Sequence, residues 1–557
     1  METLGLRDII GPIMVGPSSS HTAGALAIAH LARGLCAAEP QRVEFTLYGS
    51  FAHTGRGHGT DKALAAGILG LAADDLAIRD SLELARERGI EVSFKFDRET
   101  PTDHPNTVDI RIVEDTGDVL EVRGESIGGG AAVIRRIDGI DVAITGAHTS
   151  IVVRQEDAKG VLAHIASCVT ECDVNIATAR MYRTRRGAAA WTVLETDSAV
   201  PPAIKDAIER HPAVNDVRII PPAERATVPV GSEDAKAGDA GGKAGGAPDA
   251  PAPAASDPAA AERRFAQADF ASGGELLARC RERGCSIADA FLAREEALDA
   301  LEGRACDAVA YADYALDVMR ASVEGPVRAP QRSMGGLIGG EAHTLAAAAA
   351  HDPAQADELG IAAICALAVL ETNASMGRIV ATPTAGSAGV VPGVLFSLAK
   401  VRGYARETLR GGLLAAAAVG YLVARNATVS GAEGGCQAEV GTAAAMAAAA
   451  AVEMAGGTPD QALDAAASAL TSLMGLVCDP VGGLVEVPCQ KRNATAAATA
   501  LACARMALAG AGNLVGFDET VAAMDAVGRT LPVELRESAL GGIAAAPSAC
   551  AWCAGRA

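Results

Sequence analysis

The chain has 557 residues, of which 50% are apolar, 21% charged and 3% aromatic. That composition describes folded, Ala- and Gly-rich domains with ample sequence for sizeable cores. Lys and Arg number 48 against 68 Asp and Glu, a formal net charge of −20, and a field of that sign argues against binding nucleic acid. The longest charge-free apolar stretch, 379–399, is broken by Pro383, Pro392 and three glycines, so no membrane span is expected. No apolar export segment opens the sequence, and the expectation is a cytoplasmic protein.

In chain order, 43–48 and 108–113 alternate apolar and polar residues as half-buried strands do, and 60–71 and 80–88 between them read as helices. A second unit is expected from about residue 141, with strands at 141–145 and 151–154, a helix at 160–171, strands at 174–184 and 188–195, a helix at 202–210 and a strand at 214–220. A βαββαβ order is the ferredoxin-like split-βαβ pattern. From 231 to 261 the sequence is almost wholly Gly, Ala, Pro, Ser and Asp, too little bulk to bury, and a flexible tether is expected over 223–264. Beyond it, long Ala/Leu runs at 345–350, 361–370, 409–424, 442–454 and 494–508 favour helix. The expected architecture is multidomain: an α+β domain at 1–140, a ferredoxin-like unit at 141–222, the linker, and a mainly all-α domain at 265–557.

Thirteen cysteines in a chain without an export signal read as thiols or metal ligands, not a disulfide framework. Three lie in Gly/Pro-rich breaks: Cys436 in GAEGGCQAEVG, and Cys478 and Cys489 in CDPVGGLVEVPCQKRN. Structural zinc uses closely spaced pairs and four ligands, so the spacing fits it poorly. Three thiolates converging from loops suit an iron–sulfur cluster with one iron left open; the same residues also suit buried core cysteines. Cys168, Cys172, Cys280, Cys285, Cys306, Cys365 and Cys503 fall on helix-like stretches and read as packing residues.

The polar candidates gather in a few segments. Ser18, Ser19, Ser20, His21 and Thr22 offer hydroxyls and backbone N–H groups at a helix start, a seat for a carboxylate or a well-made cap. His58 and Asp61 of GHGTD, and His104 and Asn106 of HPNT, are site candidates or ordinary loop residues. Asn373, Arg378, Thr384, Gly386 and Ser387 lie in a polar Gly/Pro loop, with Arg378 the natural carboxylate partner or a helix-end cation. No P-loop or dinucleotide fingerprint is present, so no nucleotide is expected.

The segments QRSMGGLIGGEA, NASMGRIVATPTAGSAGVVPG, GAEGGCQAEVG and CDPVGGLVEVPCQKRN resemble the α part of iron–sulfur-dependent bacterial L-serine dehydratases. The motifs GPSSSHTAG, GSFAHTGRGHGTDKA, HPNT and SIGGG resemble the β part. The resemblance spans nearly the whole chain apart from the linker. It implies a lyase that converts L-serine to pyruvate and ammonia, an ACT-like regulatory unit at 141–222 open to an amino-acid effector, and a homodimer. It also implies a [4Fe–4S] cluster on Cys436, Cys478 and Cys489. In that reading an open iron acts on the serine hydroxyl as a Lewis acid, and Lys491, His58 and His104 are candidates for the base that takes the α-proton. L-Cysteine and L-threonine are alternative substrates, and an ACT-type sensor without catalysis is the non-enzymatic alternative. Pyridoxal phosphate is not expected, since the C-terminal half carries only Lys400 and Lys491, neither in a familiar cofactor setting. The tail cysteines, Cys550 and Cys553, are candidates for a removable plug on the open iron.

Overall fold

The structure is a computed structural model that describes residues 4–183, 185–196, 198–222 and 258–555. Its strands are β1 (Ile13–Val15), β2 (Pro40–Tyr48), β3 (Glu91–Asp97), β4 (Thr107–Glu114), β5 (Val119–Gly128), β6 (Ala131–Ile137) and β7 (Ile140–Ile144), then β8 (Thr149–Glu156), β9 (Ile176–Arg183), β10 (Ala189–Thr196), β11 (Val214–Ile220) and β12 (Arg378–Val380). They form a six-stranded sheet in the order β3-β2-β4-β5-β6-β7, a four-stranded sheet in the order β11-β8-β10-β9, and a two-stranded pair, β1 with β12.

Alternation explains the first sheet. In β2, Val43, Phe45 and Leu47 are buried while Arg42 and Glu44 are exposed, so one face of the pleat turns to the core. Helices Gly24–Gly34 and Thr60–Leu69 cover that face. In the second sheet every neighbouring pair is antiparallel, and helices Val161–Glu171 and Ala203–Glu209 cover one face through Ile165, Val169, Ile204 and Ile208. This is the ferredoxin-like topology expected from the βαββαβ order. One strand differs from the expectation: the segment at 141–145, read as opening this unit, is β7 and pairs with β6 at the edge of the first sheet. The ferredoxin-like unit thus starts at β8.

The tether at 223–264 lies for the most part outside the described residues, and its last residues belong to the helix Pro258–Ala268. The remainder is helical, with the single short strand β12. Its centre is the helix Thr442–Met454, in which Ala443 to Val452 are buried on every side. The small side chains let helices Val390–Arg402, Arg406–Asn426, Pro459–Leu473 and Cys489–Leu508 approach it closely. Of the cysteines read as helical packing residues, Cys172, Cys285 and Cys306 lie outside helices, and Cys306 is exposed.

The first residues of the chain belong to this helical half. Leu6, Ile9, Ile10 and Ile13 are buried in its core, the Tyr311 hydroxyl donates to Ile10 O at 2.6 Å, and β1 pairs with β12 residue for residue. Arg294, fully buried, donates to Leu4 O at 2.9 Å, Asp269 Oδ1 at 2.7 Å and Glu295 Oε1 at 2.6 Å, and its guanidinium lies 3.9 Å from the Tyr421 ring centroid. Glu295 in turn accepts the Leu6 N–H at 2.7 Å. Removing one partner of such a group strands a buried charge. Arg294→Ala is expected to cost about 3–5 kcal/mol, read as a lowered urea midpoint with earlier proteolysis of residues 4–15.

Candidate active site

Three helix starts converge where the two halves meet. Ser18 precedes the π-helical turn Ser19–Ala23, which runs straight into helix Gly24–Gly34. Cys436 precedes the turn Gln437–Gly441, which runs into Thr442–Met454, and Cys489 is the first residue of Cys489–Leu508. Helix N-termini carry unpaired N–H groups and a partial positive charge, so anions are stabilised between them.

On the N-terminal side, Ser18 Oγ accepts the His21 N–H at 3.1 Å. Gly16 has φ +113°, and a Cβ there would stand 2.5 Å from Thr22 Cγ2, so only glycine lets this turn close. The His21 ring is buried, with Nδ1 2.9 Å from Ser20 Oγ and Nε2 2.8 Å from Ser50 Oγ. His58 lies against it, ring centroids 4.4 Å apart. Thr22 and Thr60 clamp the pair by donating to the carbonyls of His58 and His21, each at 2.8 Å. Burial lowers the His58 pKa to about 4; burial and then His58 push His21 well below its ordinary value. Both ring nitrogens of His58 lack a hydrogen-bond partner, so a neutral imidazole is held for another group.

Hydrogen bonds lead from here to the cysteines. Ser19 Oγ accepts the Ala385 N–H at 3.0 Å, and Asn373 donates to Ala385 O at 2.9 Å and Pro17 O at 3.3 Å. Thr384 and Ser387 hydroxyls meet at 3.1 Å, and Thr384 bonds the half-buried carboxylate of Glu439. Glu439 Oε2 is 3.9 Å from Cys478 Sγ. Asn493 donates to Gly386 O at 2.8 Å and Cys489 O at 2.9 Å and accepts the Gly389 N–H at 3.0 Å, locking the 382–389 loop to the cysteine helix. The Cys436 and Cys478 thiols are hydrogen-bonded, which with burial and the carboxylates Glu439 and Glu537 raises the Cys478 pKa. Burial, then Cys436 and Glu439, raise that of Cys489. Among the described residues no three His, Cys, Asp or Glu are spaced to hold a single metal ion.

The loop between Cys478 and Cys489 rests on the N-terminal half: a Cβ on Gly57 would stand 2.7 Å from Leu484 Cδ2, and one on Gly483 (φ +71°) would run into Thr54. Its other side is covered by the end of the chain. Cys478 N–H donates to Leu535 O at 2.9 Å and Glu537 N–H to Cys478 O at 2.8 Å. Asp479 accepts the Ile543 N–H at 2.7 Å and pairs with Arg492 at 2.8 Å. The helix Pro547–Ala554 packs on Gly482, where a Cβ would meet Trp552 at 3.1 Å and Cys553 Sγ at 3.5 Å. Cys550 is exposed.

Ser18–Thr22, His58, Asn373, Thr384, Gly386, Ser387 and the three cysteines are thus brought together. Arg378 is not among them: as part of β12 it donates to Asp74 O at 2.8 Å, joining the halves instead of awaiting a carboxylate. Lys491 is exposed, and its neighbour Arg492 is the cation turned to the cysteines. His104, half-buried, spends Nδ1 on the Asn106 N–H at 3.1 Å. Asn106 keeps a buried Oδ1 without a partner. Asp61 caps its own helix start by accepting the Lys62 N–H at 2.9 Å. Glu439, Glu537, Arg492 and Asn493 were not singled out from the sequence, although all but Glu537 stand inside the quoted cysteine motifs.

This is an enzyme-like site: two elements of the first half and three loops of the second, closed by the tail. The chain belongs to the serine dehydratase family. The family model for the serine dehydratase beta chain matches residues 8–136 and that for the alpha chain residues 282–544. The chain is 46% identical over 280 residues to the probable L-serine dehydratase alpha chain of Bacillus subtilis, covering 50% of this chain and 92% of the relative. It is 38% identical over 217 residues to the probable beta chain of the same organism, covering 39% and 98%. It is also 39% identical over 282 residues to an L-serine dehydratase of Streptomyces coelicolor, covering 49% and 60%.

The imidazole burial has a testable pH signature. A His with a folded pKa near 4 and an unfolded value near 6.5 is unprotonated in the folded state between those limits, while the unfolded chain takes up a proton. Its neutral form favours folding fully above pH 6.5, and that contribution is lost as pH falls towards 4. His58 alone should lower unfolding free energy by about 1.4 kcal/mol per pH unit between pH 6 and 5. Chemical denaturation of His58→Asn should show a correspondingly shallower dependence.

Proposed function

We propose that the chain deaminates L-serine to pyruvate and ammonia, with a [4Fe–4S] cluster held by Cys436, Cys478 and Cys489. The observation that carries this reading is the convergence of those three thiols with the neutral His21–His58 pair at helix starts from both halves. The donor set fits the group. The buried thiols of Cys436 and Cys478 lie with the half-buried Cys489, Glu439 and Glu537, and Arg492 is the neighbouring cation; ionised thiolates there call for a cationic inorganic partner.

When bound, the cluster supplies a Lewis-acidic iron with an open position for the departing hydroxyl. The chain supplies the rest. The N–H groups and hydroxyls at Ser18–Thr22 receive the substrate carboxylate. Thr384, Ser387 and Asn373 line the path between that seat and the cysteines. His58, neutral and with both ring nitrogens unpartnered, takes the α-proton. Thr54 packs against Gly483 at the join between the halves. Elimination then leaves 2-aminoacrylate, which tautomerises and hydrolyses to pyruvate and ammonia.

Anaerobic purification should yield about four irons per chain with matching sulfide, lost in air together with pyruvate release from L-serine; an iron-free chain that still releases pyruvate would refute the cluster. His58→Asn should lower kcat by about 100-fold or more at unchanged iron content, while Lys491→Ala stays within about twofold. A silent His58→Asn beside an inactive His104→Asn would move the base to His104. Parallel kcat/KM values with L-cysteine and L-threonine rank the alternatives.

The unit at 149–220 is assigned to ACT-type regulation by an amino-acid effector, and the assembly to a homodimer. Just after β8, Asp157 is already engaged by Arg183 at 2.5 Å and by the Gly187 N–H at 2.9 Å. Deleting the unit should change the shape of the saturation curve while turnover persists. The tail is assigned as the plug, and Cys553, packed on Gly482, is the better placed of its two thiols. Cys553→Ala should alter the substrate-free cluster spectrum; an unchanged spectrum and unchanged activation kinetics would remove the plug.

A further inference from the structure

A cleft of about 660 Å³ opens on the helical half, away from the cysteines, between helices Ala308–Arg328, Glu341–His351, Glu358–Ala374 and Val390–Arg402. Apolar side chains make up most of its walls, with Val323, Val327, Ala349, Ile361, Ile364 and Phe396 among them. Small-molecule sites have this size and this apolar lining, with a few polar groups fixing orientation.

Those polar groups are at the lip. Arg406 is neutralised by Asp317 at 2.7 Å and Asp313 at 3.2 Å, and Glu324 faces Arg328 at 3.5 Å. Arg320 and Lys400 remain. Both line the cleft and both are exposed. The Arg320 guanidinium rests over the Phe396 ring, 5.0 Å from its centroid, and neither cation forms an ion pair among the described residues. On a chain of net charge −20, two uncompensated cations over a hydrocarbon floor select an anion with an apolar tail.

We propose that this cleft binds an aliphatic monocarboxylate, its chain among Val323, Ile361, Ile364 and Phe396 and its head on Arg320 and Lys400. The site is separate from the candidate active site. Ile364 and Asn373 lie on one helix nine residues apart, a rise of about 14 Å. It does not depend on the reading of the cysteines.

Sodium octanoate titrated calorimetrically into the full chain tests this, with butyrate and octylamine as comparisons. Saturable octanoate binding is expected, weaker by tenfold or more for butyrate and absent for octylamine. The exposed double variant Arg320→Gln/Lys400→Gln should weaken octanoate binding about tenfold, and Ala349→Phe, which fills the cleft, should abolish it. No saturable octanoate binding would overturn the proposal. So would equal binding of octylamine, or a folded Ala349→Phe chain that binds as the parent does. Because the two lip residues are exposed, their replacement leaves the core intact, and an unchanged affinity in that variant would refute the head-group assignment by itself.

Discussion

Residues 4–15 are the constraint on which the site depends. They are the start of the first half by sequence and part of the core of the second by packing. The β1–β12 pair and the Arg294–Glu295 network fix that segment, and the chain passes from β1 directly into the turn at Ser18–Thr22. The position of the serine-rich turn relative to the 382–389 loop is therefore set by main-chain pairing three residues away. A site split between two halves needs such a rigid reference, because displacements of about 1 Å at reacting groups are costly.

Around that reference the chain places helix starts, glycines and buried carboxylates in a consistent way. Glu486 shows the logic. Its buried carboxylate accepts from Ser333 Oγ at 2.7 Å, Gly335 N at 2.7 Å and Leu337 N at 2.8 Å, so a Gly-rich loop with few side chains is held by a single residue of the cysteine loop. Glu371 does the same for the next turn, accepting Ala342 N–H at 2.9 Å and the Gln490 amide at 3.1 Å. The Gly-rich turns at 333–342 are thus anchored by two buried carboxylates.

Much of this was legible in the sequence. Alternation located β2, β4 and the strands of the ferredoxin-like unit, and alanine runs located several long helices but not Ala308–Arg328, Ile287–Leu301 or Pro459–Leu473. The pattern at 141–145 was right as a strand and wrong as to its sheet, because period-two alternation states that one face is buried and not against which partner. Local reading also missed β12, three residues whose only reason to be extended is a partner more than 360 positions away. The cysteine and serine motifs came together at one place in the structure. Arg378 did not, since nothing local reveals that Asp74 claims it. Glu537 carried no signal at all, as its role comes from the tail folding back on Cys478.

The pairing of Ile13 with Val380 also has a consequence in time. On a ribosome the apolar segment at 6–13 emerges hundreds of residues before its partners Arg294, Tyr311, Val380 and Tyr421. Until then its leucine and isoleucines have no core to enter, and closure of so long a loop makes the contact slow to form. The first sheet can form with its own helices, while the turn at Ser18–Thr22 waits for the segment at 378–385 that fixes it. Completion of the site thus comes late, set by a contact that spans more than 360 positions.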